Sequence, residues 1–203
     1  FEIGVGEQIV GTVEYADYPE AANAIPRVGG YYGMQVEKLL ALKPDLIFAW
    51  ESGNKTTDIE QLQRLGLKVV YSKPDKIDDV ATELRYFGKL VDAQEQAELA
   101  ATRFENKLAN IRTVNIDKQP IKVFYQLSPE TMMTINQNTW IHQLVEICQG
   151  INVFANNPTD YPHISIENVM VAQPELIIIP DEKSKKVQPK IQWQNWPEIP
   201  AVK

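Results

Sequence analysis

The chain is poor in the residues that usually announce chemistry. Its 203 residues hold one cysteine, Cys148, and two histidines, His142 and His163. One cysteine excludes an internal disulfide. The thiol is either a buried side chain or half of a bridge whose partner lies outside this sequence. Two histidines fall short of a three-histidine metal site. No run of about 18 apolar residues occurs, which excludes a helix spanning a bilayer. Basic residues are the minority, 20 against 27 acids, for a net charge of −7. With no basic stripe, that balance argues against a nucleic-acid partner and suits docking onto a basic protein surface. The motifs GxGxxG, GxxxxGK[ST], GxSxG and HExxH are absent. No two carboxylates stand out as an acid–base couple. An enzyme on an α/β scaffold is therefore the disfavoured class, open only to groups that meet in space.

What is present is a pattern. Apolar residues make up 44%, enough for an ordinary packed core. The opening FEIGVGEQIVG reads as a helix end followed by a short strand, and Tyr15 to Gly33 is rich in Pro and Gly turns. Residues 36–42 show helical spacing, and Pro44 ends that helix. The apolar run from Asp45 to Trp50 reads as a strand buried on both faces. A helix closed by Gly66 and the strand LKVVY follow. From Ala93 a helix of about 20 residues, roughly 30 Å long, carries Ala97, Ala100, Ala101, Phe104, Leu108 and Ile111 on one face. IKVFYQL is another buried strand, TWIHQLVEICQG a helix ending at Gly150, and INVFAN a strand-like piece. The final IQWQNWPEIPAVK stops where another strand would begin. Alternating helices and strands with short links predict parallel sheets. The fold class is α/β, with two Rossmann-like lobes of mostly parallel strands joined by one long helix. The expected bounds are 1–92, 93–115 and 116–203.

One device occurs twice. VEKLLALKPDLIFAW, residues 36–50, is matched by IENVMVAQPELIIIP, residues 166–180, at a constant offset of 130 (167 − 37 = 130). Helix–Pro–strand junctions are common, so chance is one reading; duplicated architecture, one copy per lobe, is the other. Tyr31 and Tyr161 precede the two copies at the same offset (161 − 31 = 130). Tyr15, Tyr18, Tyr31, Tyr32, Trp50 and Tyr161 sit at strand ends or turns, where open α/β sheets bind ligands. Matched aromatics suit jaws for a flat, partly apolar ligand. The plainer reading is that turn tyrosines cover core edges. Glu37 and Glu167 each open a helix. There an acid complements the helix dipole; one on each lobe would equally make a two-point docking surface for paired arginines. Ser165 can cap its helix, whereas Gln35 is a poor cap.

Taken together, ALKPDLIFAW with the following GN, DIEQLQRLGLKVV, YADYPEA, VGGYYGMQVEKL and YPHISIENVMVAQPELIII resemble the periplasmic cobalamin-binding proteins of vitamin B12 ABC importers. These belong to a two-lobed, helix-linked family that also serves iron–siderophore and haem uptake. The resemblance covers nearly the whole chain. It implies a non-enzymatic periplasmic receptor, expected to be a monomer, that holds cobalamin as transported ligand, with no cofactor, metal or catalytic residue. The partner it implies is the membrane permease of an ABC importer, with no nucleic acid and no insertion into the membrane. Carried over, the aromatic cleft falls on Tyr15, Tyr31, Trp50 and Tyr161, with Leu127 at the end of the second lobe's first strand. Two tyrosines, Tyr31 and Tyr161, stand where a relative has Trp, and Leu127 stands where it has Phe. The docking glutamates of the family match Glu37 and Glu167, which favours docking. Cys148 matches a cysteine whose family partner lies near the C-terminus. The resemblance also implies a strand and helix ahead of Phe1, and a strand and final helical segment beyond Lys203, so both lobes are expected to be short of strands here. The alternative ligands are haem, for which Tyr31 or His163 could be axial, and a ferric siderophore. Arg27 is the only arginine near the first-lobe turns, which disfavours an anionic chelate.

Overall fold

The computed structural model describes residues 1–30, 32–51, 53–128, 131–180 and 193–202. Its contacts divide the chain into two compact units, Phe1–Glu105 and Asn106–Lys203.

The first unit opens without the expected helix end and strand. Gly6–Gln8 is a single turn of 3-10 helix, and Thr12 makes an isolated bridge to Arg27. Glycines at 4, 6 and 11 leave too few helix formers in sequence to sustain a helix. A short antiparallel hairpin follows, β1 (Gly29–Gly30) with β2 (Gly33–Met34). Then come α1 (Val36–Ala41), β3 (Ile47–Trp50), α2 (Thr56–Arg64) and β4 (Val69–Ser72). β3 and β4 are parallel, with Ile47 opposite Val69 and Trp50 opposite Ser72. Val28, Leu39, Ala49, Ile59 and Leu62 form the core beneath them.

Gly66 ends α2 as predicted. Its φ is 82°, and a Cβ there would meet nothing within 4 Å. The cost of Gly66→Ala is therefore purely that of the left-handed backbone, roughly 1 kcal/mol. Urea unfolding is expected to show that loss; an unchanged midpoint would refute the capping role.

α3 (Asp79–Leu90) packs on α4 (Gln94–Asn115), a helix of 22 residues inside which the division between units falls. Ala97, Ala100, Ala101 and Leu108 are buried, as their spacing predicts. On the outside, Arg85 forks onto two turns of α4. Its Nε and Nη2 each donate to Glu98 at 2.8 Å, and Nη1 donates to Glu105 at 2.6 Å. These bonds hold both carboxyls below their ordinary value of 4.5 and raise the guanidinium further. A carboxyl with a depressed folded-state pKa stabilises the fold above its unfolded value. That contribution is lost as pH falls through the folded one. Arg85→Met is thus expected to melt below the parent at pH ~7, with the gap closing towards pH ~3. A gap that survives acid would contradict the fork as its cause.

In the second unit β5 (Ile121–Tyr125) lies between β6 (Gly150–Asn152) and β7 (Leu176–Ile178), all parallel. α5 (Trp140–Ile147) starts on Thr139, whose side chain accepts from the His142 N–H. It does not end at Gly150. Gln149 takes the left-handed turn, φ 62°, and Gly150 already begins β6. Gly150 serves close approach instead: a Cβ there would lie 2.6 Å from Val145 Cγ1 and 2.9 Å from Val123 Cγ2. α6 (Ile166–Ala172) completes the unit, over a core of Phe124, Val169, Trp193 and Ile199. The Phe124 ring meets Phe154 and Trp193 edge-on, each at 5.7 Å. Trp193–Asn195 and Pro200–Val202 are single 3-10 turns, and the buried Trp193 Nε1–H donates to Gln126 Oε1 at 3.0 Å.

The repeated device is duplicated in backbone as well as in letters. α1 and α6 each end in a left-handed residue at the same place, Lys43 (φ 47°) and Gln173 (φ 50°), ahead of the matched prolines. Leu39 and Val169 are buried at equivalent positions. The strands, however, are not buried on both faces. Phe48 and Trp50 of β3 are 44% and 55% exposed, and Ile121 and Leu176 are also exposed. Sheets of two and three strands leave open edges and faces that helices only partly cover. Among the described residues no helix is long and apolar enough to cross a membrane.

Candidate ligand-binding site

Because β3 and β4 run parallel, their carboxyl ends lie along one edge of the first unit. Trp50 ends β3, next to the buried Ala49. The chain then turns sharply. Gly53 and Asn54 N–H groups donate to the Trp50 carbonyl at 3.2 and 2.9 Å. In return the Asn54 side-chain oxygen accepts from the Trp50 N–H at 2.7 Å. The edge is closed by charge: the Glu51 carboxylate pairs with Lys73 at 2.8 Å, which raises the Lys73 ammonium above its ordinary value. Glu83 of α3 accepts from the Ser72 hydroxyl at 2.7 Å and the Lys73 N–H at 2.6 Å.

Three segments converge beside this turn. The Tyr32 hydroxyl donates to the Glu14 carboxylate, and the Tyr32 carbonyl accepts from the Lys55 ammonium. Asp58 of α2 accepts from the Met34 N–H at 2.9 Å, and the Glu14 N–H donates to the Gly29 carbonyl at 2.7 Å. The hairpin is thereby tied both to the turn carrying Tyr15 and to the turn that follows Trp50. Tyr15 itself is 79% exposed with φ 68°. Tyr31 lies outside the described residues. Tyr32 is one of the turn tyrosines legible in the sequence, but its partners Glu14 and Lys55 are not. Their roles come from hydrogen bonds across 18 and 23 residues, for which the only hints were the doubled tyrosine and the GN pair.

In the second unit Leu127 and Tyr161 are held by one shared segment. The Leu127 N–H donates to the Met133 carbonyl at 2.9 Å, and Met133 bridges His163 antiparallel. The Thr134 N–H donates to the Pro162 carbonyl at 3.0 Å, while its hydroxyl donates to the Tyr125 carbonyl at 2.8 Å. Asn136, fully buried, donates to Asp160 Oδ1 at 3.1 Å, and Asn138 donates to the same oxygen at 2.9 Å. These bonds fix the turn from which Tyr161, 46% exposed, projects. Leu127 is half-buried.

Glu37 and Glu167 are both exposed in the first turns of α1 and α6. Ser165 caps α6 through a reciprocal box with Asn168, whereas Gln35 makes no side-chain cap. The Ser165 hydroxyl and the Glu167 backbone N–H hold the Glu167 carboxyl below its ordinary value. Cys148 is an exposed free thiol at the end of α5. It borders an apolar groove of about 310 Å³ with Ile121, Trp140, Leu144 and Leu176. Among the described residues no three His, Cys, Asp or Glu side chains are grouped to hold a metal. Exposed aromatics on fixed backbone beside small polar groups fit reversible binding of a large flat molecule.

The comparisons with known proteins agree in kind. The vitamin B12-binding protein of Vibrio cholerae serotype O1 is 34% identical over 203 residues, all of this chain and 72% of that protein. The crystal structure of the periplasmic vitamin B12 binding protein BtuF of Vibrio cholerae matches with a TM-score of 0.88 at 34% identity, covering 99% of this chain and 78% of the other. The periplasmic haem-binding protein RhuT of Roseiflexus sp. RS-1 shares the fold, with a TM-score of 0.80 at 23% identity over 88% of this chain and 70% of its own. The family model described as periplasmic binding protein matches residues 1–203, and this chain belongs to that family.

Proposed function

We propose that this protein is a periplasmic receptor that captures cobalamin and hands it to the membrane permease of an ABC importer. The first lobe, 1–92, offers Tyr15, Tyr31 and Trp50 to the corrinoid. The second, 116–203, offers Leu127 and Tyr161, and the helix over 93–115 links the two. The observation that carries this reading is Trp50. A large indole is left 55% exposed at the carboxyl edge of a parallel pair, on backbone bonded from both sides. Its place at the carboxyl edge of parallel strands suits that exposed face to a ligand. The ligand's identity is supported by the relatives, 34% identical and named as vitamin B12-binding, against 23% for the haem-binding neighbour. Glu37 and Glu167, one on each copy of the repeated device, are the contacts with the permease. The role is binding, not catalysis.

The test is to mix the full-length protein with cyanocobalamin, haem or a ferric siderophore, remove free ligand by gel filtration and record the absorbance. Retention of the corrinoid spectrum in preference to the other two is expected. Retention of haem or siderophore alone would replace the ligand assignment, and turnover of a small substrate without any retained ligand would move the protein to the enzyme class.

A further inference from the structure

Resting on that reading of Trp50, we infer that Gly53 and Asn54 are positioning residues that set the orientation of the Trp50 indole for the ligand. The observation is steric. A Cβ placed on Gly53 would lie 2.6 Å from Cζ3 and 2.7 Å from Cδ2 of Trp50, and closer still to Cε3. All three atoms belong to the six-membered ring, so that ring rests directly on the Gly53 backbone. Real Cβ contacts are essentially never that short. Gly53 is not in the left-handed region, so its backbone conformation does not itself demand glycine. What glycine provides here is room for the ring.

Asn54 fixes the other half of the geometry. Its side-chain oxygen accepts from the Trp50 N–H at 2.7 Å, and its own N–H donates to the Trp50 carbonyl at 2.9 Å. With the Gly53 N–H at 3.2 Å on the same carbonyl, the backbone of Trp50 is held by three short-range bonds. The side chain then has only its two torsions free, and the floor supplied by Gly53 selects among their staggered settings. A ring held in one setting before the ligand arrives loses less freedom on binding. Adding a methyl group at 53 does not crush a core, because the ring is half-exposed and can swing into solvent. The expected consequence is a misdirected ring in an intact fold.

The test is a double-mutant cycle in the full-length protein, with cyanocobalamin as ligand. Gly53→Ala is expected to weaken binding about tenfold, the scale of one misoriented aromatic contact, with no change in urea midpoint. On a Trp50→Ala background the same change should add nothing, because the ring it displaces is gone. Without ligand, the indole N–H resonance assigned to Trp50 by its loss in Trp50→Phe should shift in Gly53→Ala. Asn54→Ala should weaken binding, and Asn54→Asp, which keeps an acceptor, should restore most of it. A Gly53→Ala loss that persists on the Trp50→Ala background overturns the inference, as does no loss where Trp50→Ala itself binds weakly. If Trp50→Ala binds like the parent, the receptor reading of Trp50 fails and takes this inference with it.

Discussion

Replacing Trp50 by alanine is expected to weaken cobalamin binding by about 30-fold or more while leaving the unfolding midpoint close to that of the parent. The two halves of this expectation have separate physical grounds. An indole exposes and buries about 200 Å². Trp50 already shows 55% of its surface to water. Covering roughly 100 Å² of it with an apolar ligand face corresponds to about 2.5 kcal/mol at ~25 cal/mol/Å², enough for the 30-fold change. Among the described residues Trp50 belongs to none of the three buried apolar clusters, so the fold loses little. Trp50→Phe keeps a flat face and should recover much of the affinity. Equilibrium dialysis beside urea unfolding checks both halves. An alanine variant that unfolds early would make Trp50 a structural residue. One that is stable and binds normally would remove it from the site.

Reversing charge at Glu37 and Glu167 together is expected to weaken association with the permease by about 100-fold and to leave cobalamin affinity unchanged. A charged pair whose partner is stranded at an interface costs about 2–5 kcal/mol, and two reversals add repulsion to that loss. The competing explanation is local. An acid in the first turn stabilises its helix by about 0.3–1 kcal/mol, and Glu167 is drawn into that role by Ser165 and its own backbone N–H. The two explanations diverge cleanly. Helix-dipole roles alone give lower melting temperatures with normal association. Docking roles give lost association, more so at low salt, where exposed charges are less screened. Pull-down of the double variant with membranes carrying the permease, with Glu37→Gln and Glu167→Gln in parallel, separates them.

Much of the fold was legible because local signals agreed with one another. The alanine face of α4 and the absence of breakers point to a helix of about 20 residues from Ala93, close to the 22 observed. Pro44 and Pro174 marked where α1 and α6 stop. The left-handed turns at Lys43, Gln149 and Gln173 were not legible, because none is Gly or Asn. The helix–strand junction around them imposes the conformation, and tertiary context overrides residue preference. Gly150 shows the complementary case: its need for space against Val145 and Val123 looks, in sequence, like a helix cap. Apolar runs gave the strands but not their exposure. Whether Phe48 or Ile121 is covered depends on how many strands and helices flank it.

At the candidate site, residue types pointed to the aromatics because Trp50 ends an apolar run and Tyr161 sits in a turn. Their supports were hidden. Asn136 and Asp160 are 24 residues apart, and Glu14 and Tyr32 are 18 apart. No periodicity encodes such pairs. Asn54 lay in plain view in the GN dipeptide, and its mutual bonds with Trp50 give that dipeptide a physical role.

The central claim is that this chain receives a corrinoid, and calorimetric titration of the full-length protein with cyanocobalamin tests it most directly. The expected result is one ligand per chain, with a negative heat-capacity change from burying apolar surface, and a binding isotherm that Trp50→Ala shifts to weaker affinity. Absence of binding heat across a range of temperatures, with haem giving a saturable one-to-one isotherm on the same sample, would contradict it.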